Sequence, residues 1–214
     1  MAAGPVREKQ FVSYLTVRRT VGILAVVLPV ILALVGFAQC MCWVLQPSIS
    51  DYYDVPRARD LYVGVLSVMA FFLFAYKGYE PRDDRAGDVA AACALLTAFF
   101  PYKAGGLDWV VHYVGGTALF LVLAYFALFL FTKSNGTAMT LRKVSRNRVY
   151  RICGVTILAC VVLSGACLAF LPAGTRAAWS PVFWLETLAL WAFGVSWFIK
   201  GETLLKDPAP TSAG

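Results

Sequence analysis

The chain has 214 residues, 60% of them hydrophobic and only 14% charged, with a net charge of +7. A soluble domain is about 45–50% apolar and about 25% charged, so a mean hydropathy of +0.70 excludes a water-soluble fold and makes the bilayer the natural solvent. The positive charge does not indicate nucleic acid, because the basic residues lie between apolar segments rather than on one soluble face; such residues orient a membrane chain and meet anionic head groups.

Residues 1–19 form a polar tail with Arg7, Lys9, Arg18 and Arg19. Six apolar segments follow, at about 20–45, 61–76, 86–100, 109–131, 152–171 and 181–199, and residues 200–214 form a second polar tail. Segments of this length and composition predict an all-α integral membrane bundle of six transmembrane helices in one domain. Pro29, inside the first span, predicts a kink that a neighbouring helix must accommodate. In the third span Gly87, Ala91, Ala94 and Ala98 recur at helical spacing. Small residues let backbones approach closely in lipid, which predicts that this helix is at the centre of the bundle. Asp88 is expected to favour that helix's amino terminus through the dipole. Residues 132–151 read as the longest internal loop, with Arg142, Lys143, Arg146 and Arg148 expected to set topology and touch anionic head groups.

Charge counting orients the six spans. The two tails, with the second and fourth loops, carry fifteen Lys and Arg residues, against four on the other side: Arg57, Arg59, Lys103 and Arg176. The positive-inside rule then predicts that both termini are cytoplasmic. Trp43, Trp109 and Trp179 are expected near the outer interface, and Tyr76, Tyr150 and Trp197 near the inner one. Short loops and compact length suggest a bacterial plasma (inner) membrane.

The six cysteines, Cys40, Cys42, Cys93, Cys153, Cys160 and Cys167, show no paired zinc spacing and read as helix-packing residues. Cys40-Met41-Cys42 is a poor motif for redox work. No metal and no cofactor is expected.

The first break in the apolar pattern is Ser48-Ile49-Ser50-Asp51-Tyr52-Tyr53-Asp54. The predicted topology turns this loop outward and brings other polar groups to the same leaflet. His112 lies near the outer end of the fourth span, and Glu186 roughly 8 Å below the outer end of the sixth at 1.5 Å per residue. Lys103 and Tyr102 come from the third loop. Ionisable groups inside a span usually face a cavity or a partner. Ser48, Ser50, Asp51, Asp54, Lys103, His112 and Glu186 are therefore the candidate lining of an outward-facing pocket that binds or handles a lipid or small hydrophobic ligand. The structural alternative is that Ser50 and Asp51 turn the chain locally, while Glu186 pairs with His112 or a loop residue. A small transporter or channel would need a polar path to the inside, where the spans offer little beyond Thr156, Ser164 and Asp88. A lipid-modifying enzyme would use His112 with Asp51 or Glu186 as acid and base. Rhomboid-type Ser-His catalysis is not expected, since neither Ser164-Gly165 nor Ser196 supplies a Gly-x-Ser context and the surroundings of His112 look wrong for it.

The motif Pro47-Ser48-Ile49-Ser50-Asp51 after a first span, in a six-span chain with both ends inside, resembles the damage-regulated autophagy modulator/Frag group and related bacterial six-span proteins. One member of the wider group assists lipid remodelling of GPI anchors. The resemblance implies the topology and marks Ser48, Ser50 and Asp51 as a characteristic polar motif, with no catalytic role. Membrane ceramidase-like hydrolases hold zinc with several histidines near Ser and Asp; with one histidine that site cannot be built here.

Overall fold

The computed structural model describes residues 14–41, 44–78, 80–101, 103, 105–133, 141–201 and 203–204. Arg7, Lys9, Cys42, Trp43 and Tyr102, singled out above, lie outside the described residues, as does Lys206 of the second tail. Seven α-helices are present among the described residues: α1 Tyr14–Cys40, α2 Pro56–Phe74, α3 Pro81–Phe99, α4 Gly106–Tyr125, α5 Leu141–Phe170, α6 Ala173–Trp179 and α7 Pro181–Lys200. A 3-10 turn, Ser50–Asp54, precedes α2, and α4 continues as a π-helical turn, Phe126–Leu130. No strand occurs among the described residues.

Four stretches are long and apolar enough to cross a membrane: Leu15–Cys40, Gly106–Leu130, Leu141–Phe170 and Pro181–Lys200. In α2 and α3 the first turns carry charge: Arg57, Arg59 and Asp60 in one, Arg82 through Arg85 in the other. Proline opens α2, α3 and α7. Its fixed φ suits the first helical position, where a backbone N–H has no partner to lose.

The six long helices close into a ring. α1 packs on α2, α2 on α3, α3 on α4, α4 on α5, α5 on α7 and α7 back on α1. α3 is therefore not central; it has two main neighbours like every other member. Its small face is buried as read, through Gly87, Ala91, Ala94 and Ala98. Small residues report how closely one neighbour approaches, not how many neighbours there are. Gly194 does the same where the ring closes. A methyl group there would lie 2.6 Å from a Val26 side-chain carbon and 2.9 Å from the Gly22 carbonyl oxygen. At the same seam Trp191 donates its indole N–H to the Val26 carbonyl at 3.1 Å, one turn before Pro29, whose missing N–H weakens the helix ladder there.

Other expectations change. The helix of α5 already starts at Leu141, so Arg142 through Arg151 are helical rather than looped. Asp88 is exposed, and the acidic residues in the first turn of α3 are Asp83 and Asp84. Asp83 is fully buried and paired with Lys133. Trp109 and Trp179 are exposed, but Tyr76, Tyr150 and Trp197 are buried. With Phe126, Phe131 and Phe193 they form an edge-to-face aromatic cluster with ring centroids 5.2–6.0 Å apart. This cluster fills the end of the ring opposite the Ser50–Asp54 turn. Cys40 is disulfide-bonded rather than a packing thiol. Cys93, Cys153, Cys160 and Cys167 are free thiols.

Candidate functional site

The 3-10 turn is the part from which the site is built. Each of its five residues meets a different surrounding group. Ser50 lies 2.9 Å from His112 Nε2 on α4. Asp51 is buried; it accepts a hydrogen bond from Ser48 Oγ at 2.8 Å, and its own N–H donates back to Ser48 Oγ at 3.2 Å. Tyr52 is fully buried, with its ring against Phe183 of α7, centroids 5.9 Å apart. Gly36 of α1 leaves the space for that ring: a methyl group there would lie 2.7 Å from it. Tyr53 stacks edge-on to Tyr62 of α2 and lies under the Arg59 guanidinium, 4.5 Å from the ring centre. Asp54 pairs with Lys103 at 2.8 Å, and the same ammonium reaches Asp51 at 3.1 Å.

The segment leading into the turn is tied to the start of α7. Phe183 N–H donates to the Pro47 carbonyl at 3.0 Å, and Ser180 Oγ donates to the Leu45 carbonyl at 3.2 Å. Glu186 Oε2 accepts from Ile49 N–H at 2.7 Å. Glu186 thus pairs with the loop rather than with His112, one of the two partners foreseen. His112 uses both ring nitrogens, since Nδ1 lies 2.8 Å from the Phe100 carbonyl oxygen. The Tyr62 phenol interacts with the Ser50 side chain.

These groups surround the mouth of a cavity of about 490 Å³, a size usual for small-ligand sites. Ser48, Ser50, Asp51, His112, Glu186, Tyr62 and Arg176 contribute polar atoms to its wall. Deeper, the wall is apolar and comes from every side: Leu28, Leu66, Leu119, Phe120, Val161, Leu185 and Leu190. From α5 the lining residues are Cys160, Val161, Ser164, Gly165 and Leu168, one face at helical spacing. The buried residues of α5 end at Cys160; beyond it Val162, Leu163 and Phe170 are strongly exposed. No residue of α5 beyond Cys160 is buried, and the cavity borders this half of the helix.

All seven residues read from the sequence as pocket candidates converge on this end of the molecule. Five line the cavity itself; Asp54 and Lys103 do not. They brace Asp51 from outside, and the two carboxylates raise the Lys103 ammonium above its ordinary pKa, chiefly through the hydrogen bond to Asp54. Tyr62, Phe100 and Arg176 were not foreseen. Tyr62 sits six residues past a proline in a mostly apolar stretch, and Phe100 acts through its backbone, so neither leaves a sequence signal. The serine beside His112 is Ser50 of the turn, a pairing the sequence reading did not foresee. Among the described residues no group of three or more His, Cys, Asp or Glu is placed to hold a metal ion. Comparison with family models, with curated proteins and with solved structures returned no match.

Proposed function

We propose that the chain is a six-span membrane protein, both ends cytoplasmic, whose outward-facing pocket binds a lipid or small hydrophobic ligand. One observation carries the reading: a cavity whose polar groups gather at the Ser50–Asp54 turn and whose remaining wall is largely apolar, bordered by the half of α5 in which no residue is buried. Such a space fits an amphiphile, with its head among Ser50, His112 and Glu186 and its chain along Leu66, Phe120 and Leu190. An opening between helices would admit it sideways from the bilayer. A disulfide at Cys40, at the same end, supports facing that end toward an oxidising compartment. The positive-inside count and the resemblance to the Frag group point the same way. α2 and α3 complete the six by flanking spanning helices on both sides in the ring. The exposed Arg142 and Arg148 and the half-exposed Lys143 and Arg146, at the start of α5, are placed to meet anionic head groups on the inner side. Transport is the weaker reading, because the buried aromatic cluster stands across the path to the inside.

Native mass spectrometry of the purified protein, followed by lipid analysis, tests the proposal. A specifically retained lipid is expected, and Glu186→Gln, which removes charge from the mouth, is expected to reduce its retention. A ligand-free protein that conducts ions in liposomes would overturn it.

A further inference from the structure

The contact between Ser50 and His112 has a defined direction. His112 Nδ1 faces the Phe100 carbonyl at 2.8 Å. A carbonyl oxygen only accepts, so Nδ1 carries the ring proton of the neutral imidazole. Nε2 is then the bare nitrogen, and Ser50 Oγ, 2.9 Å away, donates its proton toward it. A hydroxyl donating to a neutral imidazole whose far nitrogen is held by an acceptor is the relation between nucleophile and base in acyl transfer. Here a backbone carbonyl does the holding. Both side chains line the cavity, and the pair is assembled from residues 62 positions apart.

We propose that Ser50 is the nucleophile and His112 the general base of an acyl-transfer centre acting on a fatty-acyl ester held in the cavity. This rests on the lipid-binding reading above and names the chemistry of that site. Ser50 Oγ attacks the ester carbonyl carbon while its proton passes to His112 Nε2. The bond from that carbon to the alcohol oxygen breaks, the alcohol leaves with the proton from Nε2, and the acyl group remains on Ser50. Water then attacks the acyl carbon and gives a proton to Nε2. The bond to Ser50 Oγ breaks, Oγ recovers the proton, and the fatty acid leaves. The net change is ester plus water to alcohol plus carboxylic acid. The buried Tyr62 lines the same cavity as Ser50 and His112. Glu186, through Ile49 N–H, is a positioning residue that holds the segment bearing Ser50.

The test is labelling of the purified full-length protein in detergent with a long-chain alkyl fluorophosphonate, followed by intact mass and peptide mapping. A single label on Ser50 is expected. It is absent in Ser50→Ala and slowed about 100-fold or more in His112→Gln. In the unaltered protein the labelling rate rises with pH as the imidazole loses its proton; this readout needs no variant and holds even if His112→Gln misfolds. Gly165→Trp, at a position with no atom within 4 Å of an added Cβ, is expected to slow labelling by obstructing the cavity. No label, a label only elsewhere, a pH-independent rate, or an unchanged rate in a folded His112→Gln protein would each overturn the proposal. Lipid retained in native mass spectrometry without labelling overturns acyl transfer and leaves binding standing; absence of both overturns the two readings together.

Discussion

At the scale of single residues, Lys103 shows how the polar mouth is held. Its ammonium bridges Asp51, which is buried, and Asp54, which is not. The lysine side chain is 54% exposed, so water screens the pairs and each contributes on the order of 0.2–1 kcal/mol. Its pKa is raised in the folded protein. The stabilisation is therefore fully present below the unfolded lysine value and is lost as pH climbs through the higher folded one. Lys103→Met is expected to lower the melting temperature slightly at pH 8 and to make no difference at strongly alkaline pH, where the unaltered protein has lost the same pairs. Thermal melting of both proteins at the two pH values measures this. An equal gap at both would show that the lysine acts by packing alone. The sequence displayed Asp51, Asp54 and Lys103 as polar residues of one leaflet. It could not display which carboxylate is buried, because that depends on Tyr52 filling the space at Gly36 and drawing the turn inward.

At the scale of elements, the informative comparison is between α3 and α5. Four small residues on α3 identified its tight face correctly, yet its rank in the bundle was misread. Spacing along one helix carries no information about the order of helices around a ring. In α5, Arg142 to Arg151 looked like a loop because polarity was taken for irregularity, while Arg and Lys are good helix formers and a helix does not stop where the lipid stops. The outer half of the same helix offered Ser164-Gly165 as its only interruption, and both line the cavity. The seam between α1 and α7 is one place where a single methyl group matters. Gly194→Ala is expected to cost about 1–3 kcal/mol by overpacking, since a backbone oxygen cannot swing aside as a side chain can. A fall in melting temperature, with a smaller effect for Gly116→Ala, where the nearest atom is 3.7 Å away, would confirm the seam.

At the scale of the whole molecule, a closed ring with one open mouth explains why the site gathers residues from so many places. Ser50, His112 and Glu186 are far apart in sequence, and each lies within the first two turns of its own helix or turn at the same end. Topology alone brings them to one level; ring closure brings them within reach. The opposite end is filled by the aromatic cluster. There Arg18 donates to the Lys200 carbonyl at 3.2 Å and Arg19 to the Gly201 carbonyl at 3.2 Å, so the first and last long helices are tied together at both ends. These ties have a consequence for biosynthesis. The first loop of the chain is anchored by Glu186, Phe183 and Ser180, which emerge from the ribosome some 130 residues later. Until then the turn has no α7 to rest on. Stalled nascent chains ending before Pro181 are expected to leave a cysteine placed at Ile49, which is buried in the finished fold, open to a membrane-impermeant maleimide. Chains released past Gly201 are expected to react more slowly, since the loop is then docked and its neighbours packed. The site is thus assembled only after α7 has been made, and a chain without α7 would lack the support of its first loop.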